Sequence, residues 1–516
     1  MKPILEPNPI IRQLRQEIQE EEYGFNISIV DYAEVVENDM RLDAEYYIGN
    51  IKNKNIQFIK LKEIANIFGG KRLPIGENFT DIGVPYIRAE DIKGFVDYEN
   101  SPKISYELQK KLSRYQTKLN DVLLTIVGNS IGDVGIVKFN IDKCNLTENG
   151  AKINNLKNCL PEFLFIFLKS KYGQSQIKKE SVGTAQPKLA LCRIGEMQIP
   201  ILSNAFQERI EKMVKEAHFL LEESKKAYKK AEEMLLMEVL GEWGDEEYDF
   251  FWIEDLEETE RCERLDAEYF HPKYKELLEK IKSYKHGFCT LGEVCEIKDT
   301  NFNPKEEELY NYIELSSIDL QGGINEIIKD LGKNLPTRAR RKVAKGDVII
   351  SSIEGSLDKV SLIDTEENNL LCSTGFYCIN SKNIISEVLF LLAKSSILNI
   401  QFKRGCGGAI LSSFSKQDLA NATLPNLQKQ FQEEVAGLVK TSFENRKRSR
   451  ELLEVAKKSV ELAIEEGEEK AIQKLEINAN NRDSSVDAKA PAKPKKIEEK
   501  KEIKNVVTRD SKKNFK

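Results

Sequence analysis

The segment RLDAEYY at residues 41–47 returns as RLDAEYF at residues 264–270, and six of the seven positions are identical. Chance similarity does not preserve order and spacing, so the chain is predicted to contain two copies of one structural unit. Four further pairs of segments keep the same order at offsets of 225 or 226 residues: PYIRAEDI (85–92) with NYIELSSI (311–318), NDVLLTIVGNSIGDVGIV (120–137) with GDVIISSIEGSLDKVSLI (346–363), EFLFIFLKS (162–170) with EVLFLLAKS (387–395), and IPILSNAFQERI (199–210) with LPNLQKQFQEEV (424–435).

Each copy has the same internal plan. Short apolar segments such as DVLLTIVG and DVIISSIE are separated by Gly, Asn and Asp, which favour turns. An apolar helical segment, a Gly-containing loop (SVGTAQPKL or GCGGAILSS) and a Pro-containing turn then lead into a long helix. The sequence therefore predicts an α+β fold in which two mixed α/β modules are separated by two long helices.

A seven-residue repeat runs along each long helix. Steps of four and three are typical of a coiled-coil seam, and small or polar residues at many of the positions indicate close approach of the helices or a further partner. We expect an antiparallel pair, which relates the modules by a pseudo-two-fold axis across a rod of about 50 Å. The alternative is that each helix packs only on its own module. The seam positions are Phe206, Ile210, Met213, Ala217, Leu220, Ser224, Ala227, Ala231 and Met234 in the first helix, and Phe431, Val435, Leu438, Ser442, Asn445, Ser449, Leu452, Ala456 and Ser459 in the second.

Composition limits the classes of function. The formal net charge of −6 argues against a protein that coats nucleic acid non-specifically, although it permits local basic faces. Nine cysteines without a CxxC pair and three histidines argue against a metal cluster and for free thiols. No run of about eighteen apolar residues occurs, and the first residues lack the apolar core of a signal peptide. We therefore expect a cytoplasmic protein without a membrane span.

Two groups of carboxylates allow a catalytic interpretation, but neither is supported by its neighbours. Asp43 and Glu45 lie two residues apart in the repeated segment, and no His or Cys accompanies both copies. Asp347, Glu354 and Asp358 would suit a nuclease, yet the first copy has glycine at the last two equivalent positions. The Asn-Pro-Pro-Tyr/Phe tetrapeptide of adenine methyltransferases is absent from the sequence. We predict that the chain is not an enzyme.

Several segments together resemble a known family. They are the two RLDAEY segments, the NDVLLT and GDVIIS segments, GTAQPKL, and the junctions IPILSNAFQE and LPNLQKQFQE. In this order and in duplicate, they resemble the specificity (S) subunit of type I restriction–modification systems, over roughly residues 25–467. The second copy departs from the pattern with GGAILSS in place of GTAQPKL, so the roles of polar residues in the first loop do not transfer to the second.

The resemblance implies a non-catalytic subunit in which two target-recognition domains alternate with two helical regions. Such subunits dock two methyltransferase (M) subunits, and the complex methylates adenine in a bipartite, asymmetric site of double-stranded DNA. Restriction (R) subunits, when added, make the complex cleave unmethylated DNA. S-adenosylmethionine, ATP and Mg belong to the partner subunits, so no cofactor is expected on this chain. From the residues alone, a coiled-coil scaffold or adaptor without DNA contact stays open as an alternative.

The domain boundaries follow from the repeat. Residues 1–24 are expected to form an N-terminal helical arm, and the charged residues from 468 onward have the composition of a disordered tail. Between them we place target-recognition domain 1 (25–205), helical region 1 (206–243), target-recognition domain 2 (244–430) and helical region 2 (431–467). The repeated RLDAEY segment is interpreted as structural, with Leu265, Tyr269 and Phe270 packed on the core and a local Arg–Asp bridge.

Recognition of DNA requires Lys and Arg near phosphates, and Arg, Lys, Asn or Gln at base edges. Candidates occur in the Gly-rich loop FGGKRLPIG, in two aligned basic stretches and in the Gly-containing loops. A solvated surface or a simple helix–strand cap is the alternative for these segments. The candidates are Lys71, Arg72, Arg88, Lys110, Lys111, Arg114, Lys118, Thr184, Gln186 and Lys188 in the first copy, and Arg338, Arg340, Arg341, Lys342, Lys403 and Arg404 in the second.

Overall fold

Two modules, built from residues 56–202 and 272–427, flank a pair of long helices. The first RLDAEYY segment, the predicted arm at residues 1–24, and the candidates Thr184 and Gln186 lie outside the described residues. The computed structural model describes residues 56–139, 143–182, 187–243, 251–262, 264–319, 321–407 and 412–486, together with Tyr32 and Val35.

The first module combines short strands with five helices in the described ranges. Its strands are β1 (Phe58–Lys60), β2 (Asn66–Gly69), β3 (Val84–Ile87), β4 (Gly94–Phe95), β5 (Lys103–Ile104), β6 (Val122–Thr125), β7 (Val134–Ile136), β8 (Asn145–Leu146), β9 (Gly150–Asn154) and β10 (Gln198–Pro200). Its helices are α1 (Leu61–Ile64), α2 (Tyr106–Lys111), α3 (Pro161–Lys169), α4 (Lys171–Glu180) and α5 (Leu191–Glu196), and the long helix α6 (Asn204–Leu240) follows.

The second module repeats most of this order of elements, with a 3-10 helix (Gly332–Asn334) in place of α2. After α7 (Leu256–Cys262) and α8 (Pro272–Lys282), its strands are β11 (Phe288–Thr290), β12 (Cys295–Lys298), β13 (Leu309–Ile313), β14 (Ile328–Leu331), β15 (Ala339–Lys342), β16 (Val348–Ser351), β17 (Val360–Leu362), β18 (Leu370–Ser373), β19 (Phe376–Ser381) and β20 (Thr423–Pro425). Its helices are α9 (Leu291–Val294), α10 (Ser386–Lys394), α11 (Ser396–Gly405) and α12 (Lys416–Asn421), followed by α13 (Lys429–Glu466) and α14 (Glu468–Val486).

The two modules share the order of their corresponding strands, and β4 and β15 are edge strands without a counterpart in the other module. The larger sheets have the orders β2-β9-β6-β7-β4 and β12-β19-β16-β17, and the smaller ones β5-β3-β8 and β14-β13-β18-β15. A parallel contact in each smaller sheet has the same register, since Tyr86 lies opposite Asn145, and Tyr312, 226 residues after Tyr86, lies opposite Leu371. The duplication predicted from the sequence, and the α+β fold class with it, are confirmed.

Helices α3 and α10 join each larger sheet to the long helices. The residues from Phe163 to Leu168 are all buried, as are those from Val388 to Ala393. A helix that is apolar on all sides must be covered on all sides. Each of these helices packs against its larger sheet on one side and against the helix pair on the other.

A buried aspartate closes the turn before the central strand of each larger sheet. The carboxylates of Asp121 and Asp347 accept a backbone N–H from the residue three positions earlier, at 2.9 Å in both modules. Asp347 is also 2.7 Å from Lys298 Nζ and accepts a hydrogen bond from Asn380. Because these contacts hold the turn, Asp347 has a structural role, and the nuclease interpretation loses its first member.

The long helices α6 and α13 form the predicted antiparallel pair. Ser224 Oγ lies 3.0 Å from Ser442 Oγ, and Ser449 Oγ donates to the carbonyl oxygen of Ala217 at 2.6 Å. Adding 225 to Ala217 and to Ser224 gives the numbers of Ser442 and Ser449, so the two contacts exchange when the helices are exchanged. That exchange is the pseudo-two-fold relation expected from the repeat. A hydroxyl that reaches the backbone of the other helix also requires the close approach that small residues allow.

The heptad spacing holds at the centre of the pair and changes toward its ends. Fully buried residues at seven-residue intervals are Ala217, Ser224 and Ala231 in α6, and Val435, Ser442, Ser449 and Ala456 in α13. Phe206 and Ile210 are also buried, whereas Met213, Leu220, Phe431 and Leu438 are half-buried. Toward the N-terminus of α6, burial continues at Val214 rather than Met213, because that part of the helix faces its module with the 3.6-residue period of a straight helix.

Each long helix contributes to the cores of both modules. Phe206, Ile210 and Val214 of α6 pack in the first core, where the C-terminal part of α13 also enters with residues such as Val460. The C-terminal part of α6, including Leu235, packs in the second core beside the N-terminal part of α13. The alternative in which each helix packs only on its own module is therefore wrong, and the pair fixes the position of both modules.

The described chain continues as helix α14 from Glu468 to Val486, which corrects the boundary that placed a disordered tail from residue 468. Glu468 accepts the backbone N–H of Ser203 at 2.9 Å, and Arg209 lies 3.0 Å from Glu476. Ala471 is buried in the first core. The low apolar content of this segment hid the helix, although Ile472 and Leu475 also pack against the first core. Residues 487–516 lie outside the described residues.

Candidate nucleic-acid interface

In the first module, the Gly-rich loop lies where β2 and β6 end and β9 begins; we call this end of the larger sheet the loop edge. Gly70 donates its N–H to Gly150 O at 3.0 Å, and Lys71 donates to the last residue of β8 at 2.9 Å. A Cβ at Gly70 would lie 2.0 Å from a backbone oxygen after β8, so only glycine fits. The exposed side chains of Lys71 and Arg72 are thereby held at this edge, with Arg72 Nε 3.6 Å from Glu148.

The described part of the first Gly-containing loop returns to the same edge. Leu189 donates its N–H to Ile126 O at 2.9 Å, and Gly128 donates to Pro187 O at 3.2 Å. The exposed Lys188 therefore stands beside the turn that follows β6. Two segments separated by more than 100 residues, each predicted to contact DNA, lie together at the loop edge.

Arg88 and helix α2 flank the Gly-rich loop, but Arg88 and one lysine of α2 form ion pairs with nearby glutamates. The guanidinium of Arg88 lies 2.5 Å from Glu90. Lys110 and Lys111 are exposed on α2, and Lys111 Nζ lies 3.4 Å from Glu77 of the loop. This ion pair ties α2 to the loop. Their assignment as DNA contacts stays a prediction.

Arg114 and Lys118 lie at the opposite end of the larger sheet, where β6 begins and β9 ends. Together with Lys152 and Asn154 they line a cleft of about 420 Å³. Lys152 is buried, and this burial lowers its pKa. The C-terminal part of the basic stretch, from Arg114 to Lys118, is therefore separated from the loop edge, which the sequence alone did not indicate.

Arg114 and Arg340, which are aligned in the sequence, have different local structures. Arg114 lies in a short 3-10 helix, whereas Arg340 lies in β15. Arg340 Nε donates to Thr337 O at 2.7 Å, and its guanidinium also donates to Asn303. Equivalence in the alignment therefore does not extend to equivalent placement of the side chains.

Arg338 is the residue that comes to the loop edge of the second module. Its carbonyl oxygen accepts the N–H of Thr374 at 2.8 Å, and its guanidinium lies 4.0 Å from Glu314. Thr374 is 226 residues after Glu148, the partner of Arg72 in the first module. The fold thus brings Arg72 and Arg338 to equivalent loops from positions that are not aligned.

The next two cations of that stretch are engaged within the module. Arg341 Nη1 donates to Lys298 O at 3.4 Å, and its Nε is buried without a hydrogen-bond partner. Lys342 Nζ lies 3.8 Å from the ring centroid of Phe302. Arg341 points into the fold, whereas Lys342 is exposed beside its aromatic partner.

The second RLDAEYF segment forms a turn against the end of α11. Arg264 makes two hydrogen bonds to the Asp266 carboxylate, at 2.5 and 2.8 Å, so the predicted Arg–Asp bridge is present in this copy. The hydrogen bond from Arg264 holds the pKa of the Asp266 carboxyl below its usual value, as in an ion pair. Leu265 is 88% exposed, so its predicted packing on the core is wrong, while Tyr269 and Phe270 are half-buried.

Lys403 and Arg404, predicted to contact DNA, face this turn. Arg404 Nε donates to Tyr269 O at 3.1 Å, and its guanidinium carbon lies 4.3 Å from the Tyr269 ring centroid. Lys403 Nζ lies 3.7 Å from Glu268. The two carboxylates of the repeated motif are thus occupied by cations, which excludes their pairing as general acid and base in this copy.

Sequence reasoning did not include the turns that follow β6 and β16 among the candidate DNA contacts. The first turn carries the exposed Asn129, and the second carries the exposed Glu354. Both lie at the loop edge of their module, directly after the central strand of the larger sheet. The signal was available, because these turns occupy aligned positions in the repeat and differ in side-chain chemistry.

Within the described ranges, no group of three or more His, Cys, Asp or Glu side chains is placed to hold a metal ion. In the same part of the chain, no helix combines the length and the apolar character needed to cross a bilayer.

The chain contains two α/β modules on an antiparallel helix pair. We compared its sequence with those of known protein families. Residues 53–226 and 285–449 match the family described as the type I restriction modification DNA specificity domain. Together these ranges cover more than half of the chain, so the chain belongs to this family.

Individual relatives resemble the chain more loosely. The specificity subunit of the type I restriction enzyme EcoBI from Escherichia coli is 34% identical over 143 residues, which are 27% of this chain and only 30% of that protein. The S subunit structure from M. genitalium has 16% identity, covers 79% of this chain and 96% of its own, and gives a TM-score of 0.40. The HsdS subunit from Thermoanaerobacter tengcongensis has 16% identity, coverage of 78% and 97%, and a TM-score of 0.25.

Proposed function

We propose that the chain is the DNA-recognition subunit of a type I restriction–modification complex, and that each module recognises one half of a bipartite, asymmetric site. The observation that carries this proposal is the match of both modules to one family of DNA specificity domains. Their shared topology also presents different side chains at equivalent loop edges.

The chemistry of the loop edges suits recognition of base edges and phosphates. The first module presents Lys71, Arg72 and Asn129 there, and the second presents Arg338 and Glu354. Asn pairs well with adenine, Glu accepts from the amino group of cytosine, and Lys and Arg bind guanine or phosphate. Different side chains on one framework suit two different half-sites.

The helix pair suits a split site. At 1.5 Å per residue the 37 residues of α6 span about 55 Å, or roughly one and a half DNA turns. The pseudo-two-fold relation points the two modules in opposite directions along the duplex. We therefore expect the half-sites to be read on opposite strands and to be separated by bases that the chain does not specify.

Catalysis is assigned to the partner subunits. Two M subunits would bind S-adenosylmethionine and methylate adenine N6, and R subunits, where present, would use ATP and Mg to cleave DNA. This chain would supply sequence recognition and the helical surface for docking, in the cytoplasm where the host DNA lies.

The experiment that tests the proposal is a genome-wide map of N6-methyladenine in the host, with the gene intact and deleted. We expect methylation at one split motif to disappear completely on deletion, since recognition requires this chain. An unchanged map in a host that expresses the M subunits would contradict the proposal and favour a scaffold role.

A second expectation concerns Lys71 and Arg72. Replacing both by Ala should weaken binding of the purified complex to all DNA sequences and lower the slope of log K against log salt by about one to two, at about 0.9 per phosphate contact. Fluorescence anisotropy at several salt concentrations measures this slope. The control replaces Lys229 and Lys230, which are exposed on α6, and should leave the slope unchanged.

A further inference from the structure

The repeated RLDAEYF segment has a role in the second module that neither the family match nor the loop chemistry assigns. It contacts the residues that end α11, and through them the loop edge. The contacts form a continuous series of hydrogen bonds between described residues.

The first contacts join the motif to the end of α11. Arg264 Nη2 donates to the carbonyl oxygen of Cys406 at 3.1 Å, while the same guanidinium is fixed by its two bonds to Asp266. Tyr269 is held by Arg264 and Arg404, whose guanidinium carbons lie 4.8 and 4.3 Å from its ring centroid. The motif therefore binds the carbonyl oxygen of Cys406 through the charged guanidinium of Arg264, whose orientation is fixed.

The next contacts lead from there to the central strand. Gly407 and Ser413 exchange two backbone hydrogen bonds, at 3.1 and 3.2 Å. Glu354 then donates its N–H to Ser412 O at 3.0 Å, and Phe414 donates to Ser352 O at 3.2 Å. The turn after β16, which carries Glu354 at the loop edge, is thus held by a segment that Arg264 anchors.

We propose that Arg264, oriented by Asp266, is a positioning residue that sets the recognition of the second half-site without touching DNA; this rests on the proposed function. The repeat supports the assignment. Arg, Asp, Glu and Tyr of the motif are identical in both copies, whereas the segments at the loop edges differ, with VGNSIGD against IEGSLDK and GTAQPKL against GGAILSS. An identical motif beside different loop-edge segments is what two modules that recognise different half-sites need. Arg404, which also contacts Tyr269, belongs to this positioning network rather than to the DNA contacts.

The test compares Arg264→Ala and Arg264→Lys with the control Arg261→Ala in the full chain. Arg261 lies three residues earlier, has a side chain that is 74% exposed, and interacts with Glu258 and Cys262 of its own helix. Lysine keeps the charge but cannot make the planar, two-bond contact with Asp266. Both Arg264 variants should therefore fail, although a simple phosphate contact would survive in the lysine variant.

The first readout is backbone hydrogen exchange. We expect the amides of Gly407, Ser413 and Glu354 to exchange about tenfold to a hundredfold faster in both Arg264 variants, as for loss of a charged hydrogen bond. The equivalent amides of Val182 and Lys188 in the first module, bonded at 2.9 Å, should not change. Uniformly faster exchange across the whole second module would overturn the positioning role.

The second readout is the methylated motif in cells that express each variant with the host M subunits. We expect the base preferences of one half-site to relax while the other half-site and the gap stay as in the wild type. An unchanged motif, or a salt slope lowered by about one in Arg264→Ala but retained in Arg264→Lys, would overturn the inference. Failure of the proposed function is distinct, since the wild type itself would then give no split motif.

Discussion

Replacing Gly70 by Ala should abolish recognition of one half-site while the second module stays folded. The added Cβ would lie 2.0 Å from Thr147 O and 2.4 Å from Leu146 O, and these backbone atoms cannot move aside as a flexible side chain could. The loop must therefore leave the strand end, and the bonds from Gly70 and Lys71 to β8 and β9 are lost. Two such bonds contribute about 2 kcal/mol to the free energy of unfolding, so the first module should melt about 4–8 °C lower.

The effect on DNA should exceed the effect on stability. Displacement of the loop removes Lys71 and Arg72 from the loop edge, and each lost base contact costs about 1–3 kcal/mol, or about tenfold or more in affinity. Binding to oligonucleotides with either half-site mutated measures which half is lost. The neighbouring glycine provides a matched control, because a Cβ at Gly69 meets only Leu191 Cδ1, at 3.5 Å. Equal behaviour of the two variants would show that this contact does not hold the loop.

The global architecture could be predicted from the sequence because it depends on patterns that repeat. The offset of 225 or 226 residues is enough to pair β6 with β16 and α3 with α10. The helix pair followed from the heptad frame that both long helices share, and small seam residues indicated the close approach that lets Ser449 reach the backbone of Ala217. Such patterns indicate which helices and strands are buried. The burial of a whole element depends on many residues together, so it can be predicted from the sequence.

The candidate site was harder to predict because it depends on single residues. Arg114 and Arg340 align in the sequence. Arg114 nevertheless lies in a 3-10 helix and Arg340 in a strand, so their side chains have different surroundings. Arg72 and Arg338 do not align, yet the fold brings both to equivalent loops. One residue can change its local conformation at little cost to the fold, so alignment preserves the framework and not the contacts.

The helix pair should be the most sensitive single element, and Ser442→Leu tests this. Ser442 is fully buried with its Oγ 3.0 Å from Ser224 Oγ, so two extra heavy atoms would force the helices apart. Overpacking costs about 1–3 kcal/mol, and the hydroxyl of Ser224, left without its partner, adds about 1–3 kcal/mol. We expect a loss of about 2–6 kcal/mol in the free energy of unfolding, measured by urea denaturation.

The functional consequence should differ in kind from that of Gly70→Ala. Both long helices enter both cores, so a change in their separation should tilt both modules and weaken recognition of both half-sites and of the gap between them. Thr441→Leu is the matched control, since Thr441 is exposed and its hydroxyl bonds only to Gly437 O of its own helix among described residues, and it should change stability by about 0.5 kcal/mol or less. Loss of one half-site alone in Ser442→Leu would mean that the modules are held independently and that the pair is only a tether. Loss of both together would mean that spacing and recognition are set by the same buried contacts.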